Sequence, residues 1–190
     1  MQDRLMVFVD GSNLLRATAT VIQADIRSDK PTLDAIYLCG GLINVLISRI
    51  AKEAQFYGCK TLRTYWFSSV QGNDEYVQNL SMNLRSSSFE PIIFKKRKGK
   101  EKRVDIAIAR EMLINAFNKN YDLALLVAGD EDYVDLVYDL KRLGIRIIGS
   151  FYEVGLSESL KVAVDNYHKL HIWGTASKQY VEALGGVLPK

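Results

Sequence analysis

Asp10 and the pair Asp130 and Asp132 stand about 120 residues apart, in Val9-Asp10-Gly11-Ser12-Asn13 and Ala128-Gly129-Asp130-Glu131-Asp132-Tyr133, and each motif directly follows an apolar run that reads as a buried strand. If those strands lie parallel and adjacent, their carboxylates meet in the crevice outside the carboxyl edge of the sheet, where open α/β sheets place ligands. Asp105, near the start of a helical segment where the helix dipole tolerates negative charge, is the third contributor. Converging carboxylates repel one another and raise the pKa of at least one member, a cost that a bound cation removes. Oxygen donors suit Mg²⁺ or Mn²⁺, which bind through one or two carboxylates plus substrate phosphate, whereas zinc wants the His or Cys that this region lacks.

Gly11 lets the backbone turn sharply after Asp10 into a helix whose free N–H groups can receive an anion. Asp130 and Asp132, as alternate residues of an extended stretch, are expected to point the same way, with Glu131 turned elsewhere. Taken singly, each aspartate suits a helix N-cap or a turn equally well; the combination at strand and helix ends is what points to a site.

The elements that must position these groups are short apolar runs alternating with segments of helical period, which predicts βα units around a mostly parallel sheet. Strands are expected over residues 5–9, 62–67, 92–94, 123–128 and 145–148, the fourth being a continuous apolar run suited to a central strand covered on both faces. Helical period runs over residues 33–56, 73–84, 104–117, 133–143 and 157–164. The third of these is expected to turn Ile108, Ala109, Met112, Leu113, Ala116 and Phe117 inward, and the fourth to bury Tyr133, Leu136, Val137, Leu140 and Leu143 before Gly144 ends it. Gly40 and Gly41 mark a bend or a late start in the first, and residues 20–31 read as a loop. The expected class is α/β, with a mostly parallel central sheet of about five strands flanked by helices.

A chain of 190 residues with 48% apolar content can bury the core of one domain without staples. Cys39 and Cys59 each stand without a metal-type neighbour, which fits a reduced, cytoplasmic setting. No run approaches the length of a membrane span, and the apolar start is too short for a signal segment, so a soluble, non-exported protein is expected. The net charge of +3 hides a concentration: Lys95, Lys96, Arg97, Lys98, Lys100, Lys102 and Arg103 share nine positions with one acid, a local +6 that leaves the remainder at −3. Such a run suits a polyanion contact, although a bare charge run is also a common solvated loop.

Phe8-Val9-Asp10-Gly11-Ser12-Asn13, then Val104-Asp105-Ile106-Ala107-Ile108-Ala109, then Ala128-Gly129-Asp130-Glu131-Asp132-Tyr133 resemble, in order and spacing, the successive motifs of the NYN domain family of PIN-like ribonucleases, in its bacterial LabA-like branch. The likeness runs from about Met1 to Tyr167, with Leu156-Ser157-Glu158-Ser159-Leu160 and Val164-Asp165-Asn166-Tyr167 resembling the closing helix. The resemblance implies a PIN-like, Rossmannoid three-layer fold, with a nuclease domain over residues 1–172 and a C-terminal tail or short helix over 173–190. It implies that Asp10, Asp105, Asp130 and Asp132 hold Mg²⁺ or Mn²⁺, and that Asn13, with Ser12 beside it, orients substrate or the first aspartate. This chain departs from the pattern at Ala128, where many relatives have serine, at Glu111, where they have aspartate, and at Arg103, which replaces a glycine and adds positive charge beside the phosphate path.

The expected chemistry is hydrolysis of an RNA phosphodiester by a water that the ion acidifies and sets in line, leaving 5′-phosphate and 3′-hydroxyl ends. The substrate expected is single-stranded RNA, or structured RNA with unpaired regions, held by the basic run. Tyr65, Trp66 and Tyr76 could stack on bases, but filling the core explains them better. His168 and His171 lie outside every acidic motif. A homodimer and a protein inhibitor or regulator are both compatible with the chain. A phosphotransferase with Asp10 as nucleophile would want a second carboxylate where Ser12 stands. A topoisomerase-primase type of site would need a glutamate after the first strand, which is absent. The rival from another class is a catalytically silent RNA-binding or regulatory module on the same fold.

Overall fold

The structure, a computed structural model, describes residues 2–26, 41–96 and 103–171. In chain order these form β1 (Arg4–Asp10), α1 (Gly11–Ile26), α2 (Gly41–Phe56), β2 (Lys60–Val70), α3 (Asp74–Ser86), β3 (Glu90–Lys95), α4 (Arg103–Phe117), β4 (Leu123–Val127), a 3₁₀ turn (Glu131–Tyr133), α5 (Val134–Arg142), β5 (Arg146–Phe151), α6 (Glu158–Ala163) and β6 (Asn166–Lys169). The six strands make one sheet in the order β3-β2-β1-β4-β5-β6, and every pair is parallel. The chain winds outward from β1 in one direction and resumes at β4 in the other, so the topological switch point, where ligands bind in doubly wound sheets, lies between β1 and β4.

Strand alternation divides the core into two layers. Leu5, Val7 and Val9 face α1 and α2 through Leu14, Leu15, Leu42, Leu46 and Ile50, with Leu80 and Leu84 of α3 on the same side. Met6 and Phe8 face Ile108 and Met112 of α4 and Val137 and Leu140 of α5. By the same alternation Asp10 belongs to the α4 side. The β4 run Leu123–Val127 is buried throughout, as a central parallel strand requires.

Several expectations need correction. The sheet has a sixth strand, Asn166–Lys169, in place of the last part of the expected closing helix. Helix α1 continues to Ile26, so residues 20–26 are not loop; Ala17 and Ala19 pack in the core and carry the helix through a stretch rich in β-branched residues. The rest of that loop, and residues 33–40 of the expected first periodic helix, lie outside the described residues; the described helix begins at Gly41. Phe117 is 67% exposed and Leu143 40%, because each stands at the end of its helix, past the part that lies on the sheet. Gly144 terminates α5 with φ of +82°, as a C′ glycine does.

Candidate active site

Asp10 closes β1 and is 2% exposed. Its Oδ1 accepts from the Asn13 amide at 2.9 Å, and its Oδ2 accepts from the Tyr133 hydroxyl at 2.8 Å. The same hydroxyl stands 3.2 Å from Oδ1 of Asp105, in the first turn of α4. A phenol has one proton to donate, so two carboxylates from separate elements share it. Burial pushes the Asp10 carboxyl up to about 6; the Asn13 amide and Tyr133 hydroxyl pull the other way, and the Asp105 charge adds to the rise. Asp105 is also raised, first by burial and further by the charges of Asp130 and Asp132, with Tyr133 and Arg16 opposing. Burial and the two neighbouring carboxylates push the Tyr133 phenol far up, so it remains a protonated donor.

The third motif arrives by a different geometry from the expected extended stretch. Asp130 caps the 3₁₀ turn, and its Oδ1 accepts from the Asp132 amide at 3.2 Å. Asp130 and Asp132 are therefore related by a turn, not by strand alternation. Asp130 is half-buried, Glu131 and Asp132 are exposed, and Tyr133 points into the core with 1% exposure. Asn13 locks this turn to α1, because its Oδ1 accepts from the Gly129 amide at 2.9 Å. The Ser12 hydroxyl accepts from the Ser69 amide at 2.9 Å and fixes the same helix start to β2. Two glycines permit the close approach: a Cβ on Gly11 would lie 2.3 Å from the Trp66 indole, and one on Gly129 2.3 Å from the Gly155 carbonyl oxygen.

The four acids thus share one electrostatic neighbourhood at the switch point. Among the described residues, however, no group of three or more His, Cys, Asp or Glu side chains is drawn together closely enough to hold a metal ion. What is already assembled is the Asp10–Asp105 pair. Mg²⁺ and Mn²⁺ need hard oxygens and often take only one or two carboxylates, so the donor chemistry fits such an ion.

Of the basic run, Lys95 ends β3 and pairs with Asp74 at 2.5 Å, and Lys96 follows it. Arg103 opens α4 with its guanidinium 4.7 Å from the centre of the Phe94 ring. Arg97, Lys98, Lys100 and Lys102 lie outside the described residues. Glu111 faces Tyr65 and accepts from the Asn115 side chain, so it belongs to the middle of α4 and not to the acid cluster. Trp66 and Tyr65 are buried and Tyr76 packs against the core, as expected of core aromatics. His168 contacts the buried Glu53, away from the acidic motifs. Sequence reasoning missed two participants: the Tyr133 hydroxyl, and Arg16, whose charge acts on both Asp10 and Asp105 from the helix turn after Asn13.

A three-layer α/β protein with an all-parallel sheet and acids gathered at its switch point has the PIN-like architecture. The family model of the NYN domain matches residues 4–171, and the chain belongs to that family. NYN domains are generally nucleases and PIN-like nucleases generally use divalent metals, so a nucleic-acid substrate and a hydrolase role follow at that level. No curated protein matches the chain. The crystal structure of a protein of unknown function from Vibrio parahaemolyticus RIMD 2210633 is similar, with a TM-score of 0.61 and 18% identity over 90% of this chain and 94% of that one, a likeness of fold. Among the described residues no helix is long and apolar enough to cross a membrane.

Proposed function

We propose that the protein is a Mg²⁺- or Mn²⁺-dependent ribonuclease that hydrolyses RNA phosphodiester bonds to 5′-phosphate and 3′-hydroxyl ends. The observation that carries this reading is the approach of Asp10 and Asp105 to one hydroxyl at the switch point of the sheet. A carboxylate as buried as Asp10 is costly to ionise, and a cation against it would offset that cost. When bound, the ion supplies charge to the scissile phosphate and an acidified water as nucleophile. The chain supplies the rest. Asp10 and Asp105 offer the inner oxygens, with Asp130 and Asp132 at the rim as further ligands. Ser12 and Asn13 set the helix start against which a phosphate can rest, and the basic residues from Lys95 to Arg103 supply charge to neutralise RNA phosphates.

The residue types support these products. Cleavage through the 2′-hydroxyl uses a general acid–base pair such as two histidines, and His168 is committed to Glu53 instead. On the motifs, the reading includes the LabA-like branch, a nuclease domain over residues 1–172, a cytoplasmic setting, and RNA with unpaired stretches as substrate. Incubating the purified chain with total RNA and Mn²⁺, then sequencing new 5′-phosphate ends, tests it. The wild type should create such ends and Asp130→Asn should not; equal cleavage by both, or none by the wild type, contradicts it.

A second reading, an RNA-binding or regulatory module without cleavage, draws on the lack of a ready three-ligand cluster among the described residues. It is favoured if RNA binds with steep salt dependence while Mn²⁺ neither stabilises the chain nor elicits cleavage.

A further inference from the structure

We propose that Tyr133 is a positioning residue that keeps Asp10 and Asp105 turned toward one point within reach of one divalent cation, so that the pair is organised before the ion arrives. The proposal rests on the metal-nuclease reading above and assigns a role to a residue outside the acidic set. The geometry is specific to the hydroxyl. Oδ2 of Asp10 lies 2.8 Å and Oδ1 of Asp105 3.2 Å from the same phenol oxygen, although Asp10 is 123 residues and Asp105 28 residues from Tyr133 in sequence. The two carboxylate oxygens cannot then be farther apart than those two contacts laid end to end. One Mg²⁺, about 2.1 Å from each ligand oxygen, can bridge the pair once both oxygens turn toward it.

Without the hydroxyl, two like charges at a desolvated sheet edge would separate, as both are already penalised by burial. Tyr133 itself cannot drift. Its side chain is 1% exposed and belongs to the core layer that includes Phe8, Ile108, Val137 and Leu140, and its backbone follows the Asp130 cap. A phenylalanine would fill the same volume, so packing alone gives the hydroxyl no reason to be there.

Mn²⁺ binding to the full chain, read by electron paramagnetic resonance of the free ion and starting metal-free, tests the proposal. Tyr133→Phe should fold, with its melting transition retained in EDTA, and should weaken Mn²⁺ by about 10- to 100-fold, the usual loss on removing a partner of a ligating carboxylate. Because the hydroxyl acts by setting Asp105 against Asp10, most of its effect should vanish once Asp105 is no longer a ligand, so Tyr133→Phe combined with Asp105→Asn should lose well under tenfold relative to Asp105→Asn alone. That double variant also lacks one of the repelling charges, so it carries the test should Tyr133→Phe fail to fold. Unchanged affinity in Tyr133→Phe, or a further tenfold loss in the double variant, overturns the positioning role while leaving the nuclease reading intact. A wild type that binds no Mn²⁺ overturns both.

Discussion

The Gly129 amide donates to Oδ1 of Asn13 at 2.9 Å across 116 residues of sequence, and this bond joins the first acidic motif to the third. Asn13 also sends its own amide to Asp10, so one residue sets both the strand-end acid and the turn that carries Asp130. Asn13→Ala leaves the Gly129 amide without its acceptor and should cost about 1–3 kcal/mol. Urea unfolding should show a lower midpoint at an unchanged slope. Asn13→Asp retains an acceptor but adds a fifth acid, and should recover stability only when Mn²⁺ is present. A wild-type midpoint for Asn13→Ala would show that the bond does not hold the motifs together.

Gly11 is fixed by a neighbour, not by its dihedral angles. A Cβ there would stand 2.3 Å from an indole that is 0% exposed, with no room for the ring to retreat. Gly11→Ala should therefore destabilise by about 1–3 kcal/mol through overpacking and displace the start of α1 from Asp10. The checks are a reduced melting temperature and a shifted Trp66 fluorescence maximum. A substitution tolerated within a few tenths of a kcal/mol would mean that β2 yields more readily than the packing implies.

These couplings mark where the sequence is readable. β1 and β4 are plain because central parallel strands are continuous apolar runs, and the acids are plain because they end those runs. β6 is not, since Asn166-Tyr167-His168-Lys169 is short, half-buried and without an apolar pattern, and its place is settled by pairing with β5. The 3₁₀ turn at Asp130 reads as extended in sequence because an aspartate capping a turn and one closing a strand look alike in a short motif. Tyr133 is recognisable as core; that its hydroxyl meets two carboxylates depends on elements 28 and 123 residues away. Arg16 escapes notice for the same reason, as only the packing of α1 over β1 brings its charge to the acids.

Glu53 illustrates a tie far from any motif. Its carboxylate is 2% exposed, accepts from Nη1 of Arg49 at 3.0 Å and lies 2.7 Å from Nδ1 of His168, while Nη2 of Arg49 reaches the Lys169 carbonyl at 2.7 Å. The four-residue strand β6 is thereby pinned to α2. Glu53→Ala should cost about 2–3 kcal/mol, the scale for hydrogen bonds to charged groups, and amide hydrogens of residues 166–169 should exchange faster than the rest of the sheet. Uniform exchange would show that pairing with β5 alone secures the edge.

The basic run makes a prediction through salt. Reversing Lys96 and Arg103 to Glu should weaken RNA binding and flatten the plot of log affinity against log salt by about 0.7 for each single-strand phosphate no longer neutralised. Mn²⁺ affinity in the absence of RNA should stay near the wild-type value, because neither side chain is among the proposed ligands. An unchanged salt slope would remove the run from the RNA path.

The pH dependence of the metal-free protein reports on Asp10 directly. Its carboxyl titrates near 6 in the folded chain against an ordinary 3.8, chiefly through burial. Between those values the folded state holds more protons than the unfolded state, so this group makes stability fall as pH rises through the window, and Asp105, shifted in the same direction, adds to the decline. Asp122, held low by its hydrogen bond to Arg4, acts with the opposite sign and only as pH drops toward and below the ordinary carboxylate range, so the two effects separate. In EDTA the chain should lose on the order of 1–3 kcal/mol between pH 4 and pH 7 from Asp10, since each tenfold difference in proton affinity is worth about 1.4 kcal/mol, and Asp10→Asn should flatten that part of the profile. Saturating Mn²⁺ favours the ionised carboxylate, so the stabilisation it confers should be larger at pH 7 than at pH 5, where binding must first displace the proton. If wild type and Asp10→Asn keep parallel stability profiles in EDTA, the buried carboxylate is not penalised as its surroundings require, and the case for a cation at the end of β1 loses its electrostatic basis.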